Sequence, residues 1–201
     1  MYTYIKICGI LGGEEVMALP EKYVIPSFLT GEDIRTARFS LKMTQKEFAA
    51  FLGCSVRTVE HWESRADKIT GPVVPLLEIL LRKPSWISRL MLPEKRLKMR
   101  LWYMYRHVVC TIIDVDVQER EIIVTNYVDN PLYRAFGVNP APDYEDYEAF
   151  LQSRCFPPER DKIKLELEAL GIPFYDPLLI IEKTEGRMAE DHFWLKVERN
   201  K

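Results

Sequence analysis

The strongest constraint on the fold is a series of three helix-capping residues, Thr30, Thr44 and Ser55, set at intervals of 14 and 11 residues. Thr30 is followed three residues later by Asp33, and Thr44 by Glu47. This spacing is typical of a capping box, in which two side chains satisfy backbone amides at the start of a helix. Intervals this short leave room for helices of roughly two to three turns. The sequence therefore predicts three short helices joined by tight turns.

Each predicted helix carries apolar residues at helical spacing, so one face of each is expected to point inward. The inward positions are Ile34, Ala37 and Leu41 in the first helix, Phe48, Ala49 and Leu52 in the second, and Val59 and Trp62 in the third. Gly53 is expected to end the second helix, since glycine readily adopts the left-handed conformation that follows a last helical turn. The third helix keeps four residues on its other faces: Val56, Arg57, Thr58 and His61.

A fourth helix is predicted to begin at Gly71 and Pro72 and to end before Pro84, because proline fits a first turn but interrupts a helix interior. Its inward residues are Val74, Leu77, Leu80 and Leu81. From Arg82 to Arg100, seven basic residues stand against Glu94 alone, a local charge of +6. We interpret this run as a solvated linker or connecting helix, with contact to phosphate as the alternative.

Beyond residue 100 the pattern changes to β-branched and aromatic runs separated by polar turns, which is typical of antiparallel strands. The predicted strands are Leu101–Tyr105, Val108–Asp114 and Glu121–Tyr127, and Phe193–Val197 is either a final strand or a short docked segment. Capping and breaking residues predict helices from Asp143 through Gln152, from Pro157 and Pro158 through Leu170, and from Asp176 to Gly186. The predicted fold class is α+β, with an N-terminal all-α helix-turn-helix domain followed by an α+β domain that has a small antiparallel sheet.

These patterns divide the chain into four segments, namely an N-terminal extension (1–27), a helix-turn-helix domain (28–83), a basic linker (84–99) and an α+β domain (100–201). The net charge of the whole chain is −2. From Asn139 onward, however, fourteen Asp and Glu stand against nine Lys and Arg, a balance of −5. The front half is therefore expected to tolerate phosphate, and the back half to repel it.

The stretch from Thr30 to Glu63 resembles the Xre and phage-repressor family of helix-turn-helix proteins, especially its antitoxin-like members. The matching residues are Thr30-Gly31-Glu32, Ile34-Arg35, Thr44-Gln45, Phe48-Ala49, Leu52-Gly53, Ser55, Arg57-Thr58-Val59 and Trp62-Glu63. The resemblance implies an internal ion pair between Arg38 and Glu63. It also implies that six residues contact DNA: Gln45, Ser55, Val56, Arg57, Thr58 and His61. His61 stands where the family often has a longer polar residue.

This resemblance implies a DNA-binding transcriptional repressor that controls its own gene and is antitoxin-like. It would act as a homodimer on an inverted-repeat operator and would need no cofactor. The alternative is a mobile-element inhibitor, toxin-neutralising or anti-defence such as an anti-CRISPR. Such a protein would bind a target protein through residues 100–201 and use the helix-turn-helix only for autoregulation. A nucleic-acid enzyme with an attached reader domain is a further alternative.

The back half contains a second, shorter resemblance. Its residues are Ser153-Arg154-Cys155-Phe156-Pro157 with Arg160, then Gly171-Ile172, Gly186-Arg187 and Asp191-His192-Phe193-Trp194. This set is similar to a module found beside HipA-like toxin kinases, which implies a protein partner. We expect Arg154, Arg160, Asp191 and Trp194 to maintain the fold of the module and not to perform chemistry.

Catalytic patterns are thin, so the chain is expected not to be an enzyme. Asp114 and Asp116 have a spacing that can hold a metal, but on a strand near a hairpin end we expect both to be solvated. His107 and His192 lack a matching nucleophile pattern. The four cysteines are far apart and indicate reduced thiols in a cytoplasmic protein. No apolar run approaches the roughly 20 residues of a membrane span.

Overall fold

The computed structural model describes residues 22–94 and 97–199, which divide between Leu90 and Met91 into two compact units. We call residues 22–90 the front unit and residues 91–201 the back unit. Within these residues there are eight α-helices and one four-stranded antiparallel sheet, so the predicted α+β class is confirmed. Most of the predicted extension, residues 1–21, lies outside the described residues.

The front unit is entirely helical apart from one isolated bridge. Its helices are α1 (Gly31–Ser40), α2 (Gln45–Leu52), α3 (Val56–Ser64), α4 (Val73–Arg82) and α5 (Ser85–Leu90). The predicted caps are present, since the hydroxyls of Thr30, Thr44 and Ser55 accept hydrogen bonds from the backbone three residues ahead. Gly53 follows α2 in the left-handed region at φ 67°. These local signals therefore place each of the first three helices correctly.

The core of the front unit forms where the inward faces of the helices meet. Ile34, Phe48 and Val59 are fully buried there, whereas Trp62 is only partly buried against the same cluster. Gly31 permits a close approach between α1 and the end of α3. A Cβ at Gly31 would lie 2.5 Å from the carbonyl oxygen of Trp62, so a larger residue at this position would force the two helices apart.

The boundary between the units falls inside the segment 84–99 that the sequence assigns to a linker. Residues 85–90 form α5, and the side chain of Ile87 is buried in the front core. Trp86, Ile87 and Leu90 stand at helical spacing, but a stretch of six residues is too short for periodicity alone to predict a helix. The front unit thus extends seven residues beyond Lys83.

The back unit is a sheet with helices packed on one face. Its elements are β1 (Met99–Tyr105), β2 (Val108–Asp116), β3 (Glu121–Asn126), a short 3₁₀ turn (Pro131–Tyr133), α6 (Tyr144–Ser153), α7 (Ile163–Leu170), α8 (Pro177–Thr184) and β4 (Phe193–Arg199). The strand order is β3-β2-β1-β4. Helix α7 begins later than the two prolines suggest, because turns occupy the residues up to Lys162, which is left-handed at φ 63°.

Side chains from alternate strand positions form the core of the back unit. Leu101 pairs with Ile113 on β2 and with Val197 on β4, so these residues share one face of the sheet. That face packs against Tyr147 of α6 and Ile180 of α8. No helix in the described part of the chain is long and apolar enough to cross a lipid bilayer.

Candidate nucleic-acid interface

The front unit places α2 and α3 as two helices joined by a three-residue turn. The turn is held by the left-handed Gly53 and by the Cys54 amide, which donates to the Ala49 carbonyl at 3.0 Å. Helix α3 packs against both α1 and α2. Helix α3 is thus braced by its neighbours and keeps one face outward, as the second helix of a helix-turn-helix must.

The two faces of α3 differ sharply in burial. Val59 is fully buried and Glu63 is 8% exposed, so both point into the front unit. Val56, in contrast, is 37% exposed, and Arg57 and His61 are exposed one and five positions further on. An exposed valine next to an arginine at the start of a helix does not serve the core. The outward face of α3 therefore has the shape and the residue types that reading base edges requires.

Arg57 and His61 are available to a ligand. Within the described residues, neither side chain has a hydrogen bond or an ion pair, and both are exposed. A guanidinium has five N–H donors arranged as a planar fork, which matches the two acceptors on the major-groove edge of guanine. Arg57 is thus the side chain on α3 best suited to a specific base contact.

Ser55 and Thr58 have a structural role at the start of α3. The Ser55 hydroxyl accepts from the Thr58 backbone amide at 3.1 Å, and the two side-chain oxygens lie 2.8 Å apart. These bonds occupy part of the hydrogen-bonding capacity of both hydroxyls. Ser55 remains exposed and Thr58 is half-buried, so any contact they make with DNA competes with, or extends, the cap.

Gln45 is coupled to a buried ion pair. The expected pair between Arg38 and Glu63 is present as a two-pronged contact, with Nε to Oε1 at 2.6 Å and Nη2 to Oε2 at 3.1 Å. The Gln45 amide nitrogen donates to Oε2 of the same carboxylate at 2.9 Å. Hydrogen bonds from Arg38 and Gln45 hold the pKa of Glu63 below its usual range, against the opposing effect of burial. One donor of Gln45 therefore points inward.

The net charges of the two units are opposite. The front unit has eleven Lys and Arg against seven Asp and Glu, a net charge of +4, whereas residues 91–201 have sixteen against twenty, a net charge of −4. Among the described residues of the basic run 82–100, Arg82, Lys98 and Arg100 each pair with a carboxylate. Arg82 bonds to Glu78, and Arg100 bonds to Asp114 through two contacts of 2.8 Å. This lowers the phosphate-binding capacity that the sequence of the run suggests.

The expectation that Asp114 and Asp116 are solvated is wrong. Asp114 is 1% exposed and Asp116 is 7% exposed. Asp114 lies directly opposite Arg100 in the sheet and forms its ion pair there. Asp116 accepts from Lys98, which is the main reason that its pKa is lowered. Across residues 22–94 and 97–199, no cluster of three or more His, Cys, Asp or Glu is placed to hold a metal ion.

Arg154 organises the far end of the back unit. Its guanidinium donates to the Gly186 carbonyl at 2.7 Å, to the Asp191 carboxylate at 2.6 Å and to the Phe193 carbonyl at 3.1 Å. Trp194 bonds separately to the Arg106 carbonyl. Arg160, which the resemblance placed in the same set, instead pairs with Glu166. The contacts of Arg154 are those of a residue that maintains a loop.

Sequence reasoning missed the buried pair of Arg100 and Asp114. The short turn after Tyr105 pairs Tyr105 with Val108, and by itself it would set Arg100 opposite Ile113. A register shift between Tyr103 and Met104 sets Arg100 opposite Asp114 instead, and the sequence has no local signal for that shift.

Comparisons of the chain with protein-family models, with curated proteins and with solved structures found no match.

Proposed function

We propose that the protein is a sequence-specific DNA-binding transcriptional repressor of the Xre and phage-repressor type. The observation that carries this proposal is the contrast between the two faces of α3. Val59 and Glu63 fix the helix from inside, while Val56, Arg57 and His61 stand exposed on its outward side. A helix that is held rigidly and presents unpaired polar and apolar groups outward suits a groove about 12 Å wide.

The proposed readout divides the six residues by their chemistry. Arg57 takes a guanine through its planar fork, and Val56 meets a thymine methyl group. Gln45, at the start of α2, approaches the phosphate backbone with the part of its amide that Glu63 leaves available. Ser55, Thr58 and His61 add contacts that depend on the base sequence.

Repression follows from occupancy of the operator. Two copies on an inverted repeat set their recognition helices about 34 Å apart, one turn of DNA, and thereby exclude polymerase from an overlapping promoter. The operator is proposed to lie upstream of the protein's own gene, as in antitoxin-like autoregulation. Neither a cofactor nor a catalytic step enters this mechanism.

The back unit is proposed to bind a protein and not DNA. Its net charge of −4 repels phosphate, and most of its arginines are already paired with carboxylates. A HipA-like kinase is the partner that the resemblance of its far end suggests. Under the alternative of a mobile-element inhibitor, this same unit binds the target and the front unit only controls expression. Recovery of a defence-system or toxin protein with the full chain would favour that alternative.

The test of DNA reading uses Arg57. Arg57→Ala should weaken binding to the DNA upstream of the gene by about 1 to 3 kcal/mol and relax preference at one base pair. Arg57→Lys keeps the charge but loses the fork, so it should retain non-specific affinity and lose most of the discrimination. Gel-shift titrations with native and single-base-substituted DNA measure both effects.

The control for this test is Arg187→Ala, which removes an exposed arginine from the back unit. It should leave affinity and specificity unchanged. If Arg57→Ala behaves like Arg187→Ala on every DNA, α3 is not the reading helix and the proposed function is overturned.

A further inference from the structure

The two edge strands of the sheet, β4 and β3, differ in how far their outer edges are covered. On β4, the Leu195 amide donates to the Glu185 carbonyl at 2.7 Å, and the Phe193 carbonyl accepts from Arg154 at 3.1 Å. The second half of β4 has three charged residues: Lys196, Glu198 and Arg199. Covering an edge and placing charges on it are two ways in which proteins prevent further strands from pairing there.

The outer edge of β3 is open among the described residues. The Tyr127 amide, just after β3, donates to the Cys110 carbonyl of β2, and backbone groups alternate in direction along a strand. Every second residue before Tyr127 therefore bonds to β2, and the others direct their N–H and C=O groups away from it. These others are Ile122, Val124 and Asn126, and within residues 22–94 and 97–199 their backbone groups have no hydrogen-bond partner. We call this row of groups the β3 edge.

The residues of β3 are of a kind that pairs readily with another strand. All four residues from Ile122 to Thr125 are β-branched, and no charge, proline or shift of register interrupts them. An open edge of this composition suits strand addition, in which an extended chain supplies main-chain hydrogen bonds and its alternate side chains supply specificity. The chemistry of the β3 edge therefore requires an extended polypeptide segment as its ligand.

The carboxylates beside the β3 edge indicate the charge of that segment. Arg120, just before β3, bonds to Glu148 of α6 and lies 4.3 Å from the centre of the Tyr144 ring, so the start of α6 is held beside the start of β3. Three exposed carboxylates in these two places have no hydrogen bond or ion pair among the described residues: Glu119, Glu121 and Glu145. A lysine or arginine opposite Glu121 is attracted, whereas a second back unit, which also has a net charge of −4, is repelled.

We propose that the β3 edge is the partner-binding site of the back unit and that its ligand is an extended, basic segment of another protein. The segment joins the sheet as a fifth strand, with its backbone bonded to Ile122, Val124 and Asn126 and a lysine or arginine opposite Glu121. The site rests on the proposed function, under which the back unit binds a protein, and it requires that partner to expose a segment rich in strand-forming residues.

Hydrogen exchange of the full chain tests whether the β3 edge is open. In the free protein the amides of Ile122 and Val124 should exchange quickly, whereas those of Ile123 and Thr125, which face β2, should exchange slowly. Slow exchange of Ile122 and Val124 in the free chain would overturn the proposal. If that protection grew with protein concentration, a second copy would be the occupant, and if it did not, the chain itself would cover the edge.

The charge of the ligand is tested with two synthetic peptides of alternating valine and threonine, one with a lysine at each end and one with a glutamate at each end. The lysine peptide should protect the amides of Ile122 and Val124 and bind about fivefold more tightly than the glutamate peptide. Glu121→Lys should remove this preference, whereas Glu190→Lys, at another exposed carboxylate of the back unit, should preserve it. Absence of binding, or equal affinity for both peptides in the native chain, overturns the proposal.

The position of the site is tested by Val124→Pro. This change removes one outward donor and leaves the bonds between β3 and β2 intact, because the Val124 amide faces the open edge. It should weaken binding of the lysine peptide roughly tenfold. Val197→Pro is the matched control, since the Val197 amide, two residues after that of Leu195, faces outward on β4, and it should bind the peptide as the native chain does. Loss of binding in Val197→Pro alone would assign the peptide to β4 and overturn the β3 edge. Circular dichroism verifies that both variants fold, and the charge preference at Glu121 decides the question if Val124→Pro does not.

DNA binding separates the β3 edge from the proposed function. Val124→Pro should lose the peptide and retain the DNA upstream of the gene, and Arg57→Ala should do the reverse. Peptide binding in a native chain that binds no DNA would support the β3 edge and overturn the repressor. DNA binding in a native chain that binds neither peptide would overturn the β3 edge alone.

Discussion

The front and back units both pair most of their described arginines with carboxylates, exposed arginines included. Each buries a two-pronged pair, Arg38 with Glu63 in the front and Arg100 with Asp114 in the back. The units differ in where an arginine without a carboxylate partner lies. The front unit leaves Arg57 exposed on the outward face of α3, whereas the back unit leaves Arg106 in the turn between β1 and β2, beside the Tyr105 ring.

A count of basic residues therefore does not tell how many cations a unit leaves available to phosphate. The chain as a whole has a net charge of −2, yet its two units differ by eight charges. Free energy of binding to phosphate comes from cations that release counterions, and a cation already paired in the protein contributes less. What matters is which basic side chains the fold leaves available.

The largest effect is expected from Arg154→Met. This change removes the charge that pairs with Asp191 and the donors to two backbone carbonyls, so it should lower the stability of the back unit by about 3 to 5 kcal/mol. Hydrogen exchange of the full chain, followed peptide by peptide, should show faster exchange in the sheet and unchanged exchange in α1 to α3.

The matched control for Arg154→Met is Arg187→Met. Arg187 lies near the same loop and bonds to Glu185, but its side chain is 57% exposed. An exposed pair contributes at most about 1 kcal/mol. Equal destabilisation by the two variants would contradict the assignment of Arg154 as the residue that maintains this loop.

Acid should destabilise both units, through different carboxylates. The pKa of Glu63 is lowered by hydrogen bonds from Arg38 and Gln45, and that of Asp191 by hydrogen bonds from Arg154. A lowered pKa in the folded state contributes stability that is complete above the unfolded value, about 4, and is lost as pH falls through the folded value. The slope is up to about 1.4 kcal/mol per pH unit for each carboxylate.

Chemical denaturation between pH 7 and pH 2.5, followed by NMR signals of Val59 and Ile113, measures the two units separately. Glu63→Gln should flatten the pH dependence of the front unit alone, and Asp191→Asn that of the back unit alone. If either variant flattens both, the units do not unfold independently.

The smallest effect is expected from Lys46→Ala. Lys46 is exposed at the second position of α2, next to Gln45, and has no partner among the described residues. Its removal should weaken DNA binding equally on all sequences and reduce the salt slope of the affinity by about 1. Lys164 occupies the second position of α7, another eight-residue helix, and is also exposed. Lys164→Ala should leave the slope unchanged, and a lower slope there would contradict the division of charge between the units.

The sequence by itself determined the starts of six of the eight helices, three of the four strands and the α+β class, but it left α5 and the last strand open and placed the start of α7 too early. Each cap depends on a contact three residues away, as between Thr30 and Asp33, and each strand on a local run of β-branched and aromatic residues. The pairing of Arg38 with Glu63 came from the family resemblance, since no local pattern contains it. The outward face of α3 was also predictable, because a helix whose inward residues are known has its outward ones assigned by geometry.

Only the tertiary structure decided which charged residues are buried and with which partners. Gln45 reaches Glu63 across 18 residues of chain, Arg100 reaches Asp114 across 14, and Arg154 reaches Asp191 across 37. From the sequence, Asp114 is expected to be solvated, but in the sheet it is paired with Arg100 of β1. Ile87 is assigned to a linker from the sequence, but it is buried in the front core. Such charged residues can be buried because packing brings them together with partners that are distant in sequence. The periodicity of the sequence does not identify those partners.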